Sequence, residues 1–366
     1  PYVPIYIKTR IYIDLSDQEI YEVEYEKLLR NIYEKPQFIK PKLGKRPEWL
    51  DEEKANFFPL KDLIRQIRGS NTDAKRRSCV ARFQTTYIDI LKSYYEKDSK
   101  PERQYELFLS TKIIRDLFLD YVEVVFETDG NYAEILADNF ETMYNQLTCV
   151  QTFEPQTNSA SRNDLEVFRN LMWELFICVI AFMRHMKDYS AINTILTHTY
   201  FLETNIFGGD IKQNNYAAFR YYSEVVEQHY KPGTDMKNLF TLMGDTICKQ
   251  RERQPIYTSK AIAEADLFLY QVYNAYEFPE DQNCFKSCWY PTCYIYVESV
   301  PIEWQKIRSR QFCQKMMVLF GVNSLEELKN VVKKCEYDGH IKYSRSWDAA
   351  PAILSYISVD EIGTLN

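Results

Sequence analysis

The hydrophobic positions of this chain are densest between Leu165 and Met186, which read LEVFRNLMWELFICVIAFMRHM. One apolar stripe recurs at three- and four-residue steps, through Leu165, Phe168, Met172, Leu175, Phe176, Val179, Phe182 and Met183. Further apolar residues cover much of the remaining circumference, so the pattern predicts a helix that is buried on several sides. Charged and polar residues interrupt the run before it reaches the 18 to 20 apolar residues that a membrane span requires. We therefore expect a core helix and no membrane insertion.

Amphipathic helices separated by short breaks are predicted on both sides of this core helix. They cover about residues 60–68, 70–95, 101–127, 132–147, 192–202, 216–230, 236–251, 258–276, 304–320 and 324–335. The loop 205–210 holds the chain's only Gly-Gly pair and is predicted to be a turn between helices. No repeat of fixed period is visible. The predicted fold is mainly α, a large multi-helix bundle or an irregular helical array.

Two regions depart from this helical pattern. Residues 3–15 read as a strand, and a helix follows from Ser16-Asp17 to about residue 34. Such a strand needs partner strands, and the residues downstream offer few, so we expect this sequence to begin within a domain. Residues 40–53 contain two Pro and one Gly and read as a linker. The region 278–301 contains a short β-like run at 293–297.

Three motifs follow one another near the start of the chain: VPIYIKTRIYIDLSD, YEKLLRNIYEKP and KPKLGKRPEWL. In this order they resemble the C-terminal part of bacterial Toll/interleukin-1 receptor (TIR) domains, namely a late strand, the last helix and a Pro- and Lys-rich tail. The resemblance covers about residues 1–50. It implies a short α/β remnant of a TIR-like domain with its linker at 1–50, followed by a helical sensing or assembly domain at 51–366.

The resemblance also implies an activity. Many bacterial TIR proteins cleave the nicotinamide–ribose bond of NAD in antiphage defence, using a Glu on a helix upstream of the matched strand. That helix is not in this sequence, so no catalytic residue is assigned, NAD is expected only as the substrate of the complete protein, and no cofactor is expected in this chain. Glu19, Glu22, Glu24 and Glu26 lie on the following helix and are interpreted as a solvated acidic face.

Charge limits the possible partners. The formal net charge is −7, which argues against a general nucleic-acid binder. One local cluster of cations stands out: Arg65, Arg68, Lys75, Arg76, Arg77 and Arg82. A phosphate or nucleic-acid patch is one interpretation of this cluster. A solvated helix start is the favoured one, because few aromatic residues are interleaved and no phosphate-binding Gly loop is present.

Nine cysteines are irregularly spaced, and several lie inside apolar helical patterns, which is typical of reduced, buried thiols in a cytoplasmic protein. Cys284, Cys288 and Cys293 form a loose cluster with spacings of four and five and no fourth ligand nearby, so no metal site is predicted. His185, His198 and His229 are isolated from other ligand-type residues and are interpreted as surface or core histidines.

These observations favour one function and leave alternatives open. The leading hypothesis is a helical regulatory, sensing or oligomerisation module of a TIR-domain antiphage protein whose complete form cleaves NAD. It implies a homo-oligomer and a phage-derived or cellular trigger. The alternative is a free-standing helical protein–protein interaction scaffold without enzymatic activity. A nucleic-acid sensor that uses the cations between residues 65 and 82 is a third possibility.

Overall fold

The structure is a computed structural model that describes residues 15–16, 18–19, 21–33, 57–157, 161–231, 241–276, 289–335 and 350–366. The chain divides into two compact units, Pro1–Ala55 and Asn56–Asn366. In the first unit, helix α1 spans Tyr21–Ile32, inside the predicted helix. The predicted strand 3–15 lies outside the described residues except for Leu15, and the predicted linker 40–53 lies wholly outside them.

The second unit is mainly α, which confirms the predicted fold class. Its described α-helices are α2 (Phe58–Arg68), α3 (Asp73–Lys92), α4 (Pro101–Ser110), α5 (Lys112–Thr128), α6 (Tyr132–Leu147), α7 (Glu166–Met186), α8 (Tyr189–Thr197), α9 (Glu224–Tyr230), α10 (Leu242–Asp245), α11 (Ser259–Val272), α12 (Ile302–Lys306), α13 (Arg310–Phe320) and α14 (Leu325–Lys334). A π-helix, Thr246–Gln250, continues α10. Strands β1 (Tyr200–Glu203) and β2 (Ile211–Asn214) form one antiparallel hairpin.

Helix α7 is the predicted core helix, and it is buried along almost its whole length. Helices α4, α5, α6, α8 and α11 all pack against it. The helix ends at Lys187, whose φ of 58° reverses the chain, and the Asp188 side chain then accepts a hydrogen bond from Ala191 N at 3.0 Å. No helix in the described ranges is long and apolar enough to cross a membrane.

The prediction of a single helix over residues 101–127 is wrong, because the helix is interrupted at Thr111 and forms two helices, α4 and α5. The cause is an arginine that is distant in sequence. Arg251 Nη1 donates to the carbonyl of Phe108 at 2.7 Å, and Nη2 donates to Thr111 Oγ1 at 3.0 Å. Carbonyls of the last α4 turn thus bond to a guanidinium, and Thr111 N also donates to the Phe108 carbonyl at 3.1 Å, an i+3 bond that tightens the end of α4.

The helix predicted for 192–202 is also wrong in its second half. Helix α8 ends at Thr197, and the aromatic residues Tyr200 and Phe201 start strand β1 instead. The loop 205–210 is therefore the hairpin turn and not a turn between helices. Gly208 and Gly209 have φ values of 81° and 87° there, a conformation that favours glycine.

The β-like run 293–297 forms a 3₁₀ turn, Tyr294–Tyr296, and not a strand. Backbone groups before it are bound elsewhere, since Thr292 N and Cys293 N both donate to Asp266 Oδ2, at 2.7 and 2.8 Å. The carboxylate of Asp266 is fully buried and also accepts from Trp289 Nε1 at 2.9 Å. These bonds fix the segment onto α11 as a turn.

Candidate functional site

The predicted basic cluster lies mainly at one end of the α2–α3 pair. Arg65 and Arg68 are in the last turn of α2, whose end is capped by Gly69 N donating to the Arg65 carbonyl at 2.9 Å. Lys75 and the two following arginines lie just after the start of α3, where Lys75 N donates to Thr72 Oγ1 at 3.3 Å. The short connection brings these five cations together. The sixth, Arg82, lies further along α3.

Two members of this cluster are neutralised by acidic neighbours. Arg68 Nε lies 3.1 Å from Glu127 Oε2, and Arg76 Nη1 lies 2.8 Å from Asp73 Oδ1. The remaining four, Arg65, Lys75, Arg77 and Arg82, are exposed and form no ion pair within the described ranges. In the described part of the chain the cluster is thus a modest electropositive surface, on which four cations are left without an acidic partner.

Cys293 belongs to the core. Cys284 and Cys288 lie outside the described residues, so the predicted cluster itself is not described. Cys293 is fully buried. A hydrogen bond with Cys248 and burial raise the pKa of its thiol well above the ordinary value, so it remains protonated. Among the described residues, no group of three His, Cys, Asp or Glu side chains is arranged to hold a metal ion.

The acidic residues of α1 lie on an exposed helix. Glu22 and Glu26 are exposed, and Glu26 accepts from Arg30 Nε at 2.9 Å, one helical turn away. Glu24 pairs with Lys27 at 2.5 Å. These i,i+3 and i,i+4 pairs are ordinary surface interactions of a solvated helix. They agree with the interpretation of these carboxylates as a solvated acidic face.

The strongest polar constellation in the second unit surrounds Glu174, in the middle of α7. Its carboxylate is fully buried and lies 2.8 Å from Arg251 Nη2 and 3.2 Å from Arg115 Nε. Arg251 Nε also donates to it at 2.9 Å, and Arg115 Nη2 donates to the Arg251 carbonyl. Glu174 thus compensates Arg251, shares Arg115 with Asp116 Oδ1 at 3.2 Å, and connects α7, α5 and the segment after the π-helix.

A second buried constellation lies at the C-terminal end of α7. Arg184 Nη2 lies 2.7 Å from Glu303 Oε2 and 3.3 Å from Glu264 Oε2. The Arg184 guanidinium also lies 5.3 Å from the Phe268 ring centroid. This arginine therefore joins α7 to α11 and α12. Sequence reasoning missed both constellations; their one visible signal is a charged residue inside an apolar helix.

A small cavity opens between α6, α7 and the 3₁₀ turn at 216–219. Its walls are Tyr144, Thr148, Arg169, Met172, Ala218, Phe219 and Tyr221, and its volume is about 40 Å³. Ligand pockets are typically about 300–1,000 Å³, so this cavity is suited to a water molecule and not to a nucleotide. Beside it, burial raises the pKa of Glu166 above its ordinary value, and hydrogen bonds from Ser223 and Tyr221 offset part of that shift.

The charged groups of the two constellations are ion-paired with one another, and in the described ranges they form no nucleophile–base pair or open acid–base site. They hold the helices of the second unit together. No protein family, curated protein or solved structure matches this chain.

Proposed function

We propose that residues 1–50 are a late strand, the last helix and the tail of a bacterial TIR domain, and that residues 51–366 are a helical module that senses a trigger and holds subunits together. The complete protein would then cleave NAD in antiphage defence. The observation that carries this proposal is the ordered series of three motifs within residues 3–50. That series ends just before Asn56, where the second compact unit begins.

The surface of α1 supports the first half of the proposal. Tyr21, Tyr25 and Ile32 are spaced by four and seven residues and therefore lie on one face of the helix. Their exposed fractions are 40%, 40% and 63%. A helix with such an apolar face normally packs against another element. The sheet of a complete TIR-like α/β domain would supply that element.

The polar side chains of the second unit support a regulatory role over a catalytic one. Glu174 and Arg184, the charged residues that stand out in the core helix, are both buried and ion-paired with side chains of other elements. Ion pairs of this kind fix how helices are arranged, and neither Glu174 nor Arg184 is left free to act as an acid or base. A rigid module of this kind suits a role in bringing TIR domains together.

The cysteines support a cytoplasmic location for the proposed protein. Seven cysteines in the described ranges are free thiols, and all are buried: Cys79, Cys149, Cys178, Cys248, Cys293, Cys313 and Cys335. Free thiols are typical of reducing compartments such as the cytosol, where NAD and an incoming phage genome are both found.

The test compares this chain with the complete product of its gene. Both are incubated with NAD at high protein concentration, and released nicotinamide is measured. We expect the complete product to release nicotinamide and this chain to release none, because the helix with the catalytic Glu lies upstream of the matched strand in the TIR family. If the complete product fails to cleave NAD even when it is clustered, the TIR assignment fails.

In that outcome the alternative stands, a helical protein–protein interaction scaffold without enzymatic activity. Its partner would then be sought by affinity capture with residues 56–366 as bait.

The nucleic-acid alternative is tested by titrating the chain with duplex DNA at low and high salt. Phosphate contacts make affinity fall steeply with salt, so binding that is absent or independent of salt excludes it.

A further inference from the structure

The hairpin β1–β2 has one covered edge and one open edge. The backbone of Phe201 and Glu203 faces away from β2, towards α6. Phe201 N donates to Glu141 Oε2 at 2.7 Å, and Glu203 N donates to Asn145 Oδ1 at 2.8 Å. Asn145 Nδ2 returns a bond to the Phe201 carbonyl at 2.9 Å. Side chains of α6 therefore satisfy the β1 edge as a third strand would.

Among the described residues, no side chain covers the outer edge of β2 in this way. Ile211 and Gln213 stand opposite Glu203 and Phe201 in the antiparallel register. Because the backbone direction alternates along a strand, the N–H and C=O groups of Ile211 and Gln213 point away from β1. Within the described ranges no hydrogen bond reaches these four groups. Ile211 is 61% exposed, and Phe201, on the same face, is 53% exposed.

We propose that this open edge pairs with the same edge of a second copy of the chain, antiparallel about a twofold axis at Ile211. In this arrangement the two Ile211 residues exchange backbone hydrogen bonds, and their side chains lie together on the apolar face. Asp210 of each copy then stands opposite Lys212 of the other. The edge is therefore complementary to itself in hydrogen bonding at Ile211 and in charge at Asp210 and Lys212.

The charges of the edge favour this register over the register that is centred one residue further along, on Lys212. A twofold axis at Lys212 would place two lysines directly opposite each other, which is destabilising. Asp210 and Lys212 are 46% and 63% exposed, and within one chain their side chains already lie 3.0 Å apart on one face of the strand. Both charges are thus available at the edge, and opposite charges meet across the interface only in the register centred on Ile211.

The hairpin turn holds this edge in place. Glu203 accepts hydrogen bonds from three backbone N–H groups of the turn, those of Asn205 at 3.0 Å, Gly209 at 2.7 Å and Asp210 at 2.9 Å. Val150 N also donates to the Ile206 carbonyl at 2.7 Å and ties the turn to the helical body. Pairing therefore requires little ordering of the strand.

The dimer is expected to be weak. Only residues 210–212 of each copy overlap in this register, because Gly208 and Gly209 lie in the hairpin turn, so the dimer buries much less than the roughly 800 Å² per partner of a stable interface. It should form only when the local concentration is high, which suits subunits that a trigger gathers. The inference itself rests on the geometry of β2 and not on the proposed TIR function.

Charge reversal tests the register directly. Sedimentation velocity is measured over a wide concentration range for the wild-type chain, for Asp210→Lys, for Lys212→Asp and for an equimolar mixture of the two variants. Each variant alone makes both cross-strand pairs repulsive, so we expect its dimer dissociation constant to rise at least about tenfold. In the mixture, two lysines of one variant face two aspartates of the other, and a heterodimer should form with wild-type affinity.

Lys315→Asp is the matched control, because it makes the same charge change at an exposed position away from the hairpin. Circular dichroism verifies that each variant is folded. If the wild-type chain stays monomeric at the highest concentration, the proposal is overturned, and the open edge would instead pair with an extended segment of another protein. A mixture that stays monomeric, or a Lys315→Asp control that also loses the dimer, overturns it as well. None of these outcomes bears on NAD cleavage.

Discussion

Replacing Glu174 by Gln should destabilise the second unit far more than the same change at the surface. The Glu174 carboxylate is fully buried and lies within 3.2 Å of nitrogen atoms of both Arg115 and Arg251. Glutamine keeps the size of the side chain but removes its charge. The buried Arg251 guanidinium would then lack its carboxylate partner, and Arg115 would keep only Asp116, whose Oδ1 lies 3.2 Å from Arg115 Nη1.

The expected loss follows from this geometry. Removing one partner of a buried ion pair costs about 3–5 kcal/mol, because the other charge stays buried without compensation. At roughly 2 °C per kcal/mol for a unit of this size, the midpoint of thermal unfolding should fall by about 6–10 °C. Far-UV circular dichroism during heating measures this shift, and urea unfolding gives an independent comparison.

The matched control is Glu96→Gln. Glu96 accepts from Arg103 Nε at 2.9 Å, so a comparable pair is broken, but the two side chains are 39% and 48% exposed. Surface pairs contribute about 0–1 kcal/mol, and the midpoint should hardly move. If Glu174→Gln shifts the midpoint no more than Glu96→Gln does, the carboxylate does not compensate the two arginines as the structure indicates.

Three further outcomes are expected. Burial raises the pKa of Glu166, so its contribution to stability is fully present below the ordinary Glu pKa and is lost as the pH rises through the raised pKa. The wild type should therefore lose stability relative to Glu166→Gln as the pH rises above the ordinary pKa of a Glu side chain, and parallel pH profiles of the two proteins would refute this. Phe176→Ala should lower the free energy of unfolding, measured in urea, by about 3–5 kcal/mol because Phe176 is fully buried. Val318 is half-exposed, so Val318→Ala should change this free energy by less than about 0.5 kcal/mol. Equal losses in the two variants would contradict the assignment of Phe176 to the core. Replacing Arg65 and Arg77 together by Gln should remove any weak, salt-sensitive retention of the chain on heparin. If retention persists, the surface that binds heparin lies elsewhere on the chain.

Sequence periodicity was sufficient for the core helix, because an apolar stripe that runs along 22 residues predicts a buried helix without tertiary information. It was not sufficient for the break at Thr111. That break depends on Arg251, 140 residues further along the chain, which bonds the end of α4. Long-range side-chain contacts of this kind leave no local pattern, so the predicted helix ran straight through the break.

The candidate surfaces also combine features that the local sequence predicts with features that depend on distant residues. The basic cluster was predictable because helix ends and the turn at Gly69 are local features. Its partial neutralisation was not, since Glu127 lies 59 residues from its partner Arg68. The hairpin was missed for a different reason: Tyr200 and Phe201 follow directly on a helical pattern, and only the Gly-Gly pair at 208–209 signalled a tight turn.

The central claim is that the helical module regulates NAD cleavage by bringing TIR domains together. The most direct test is nicotinamide release by the complete gene product as a function of protein concentration, beside a variant that ends at residue 50. We predict that the specific activity of the complete product rises with concentration and that the shortened product needs a much higher concentration to reach it. Equal specific activity at every concentration in both proteins would contradict the claim.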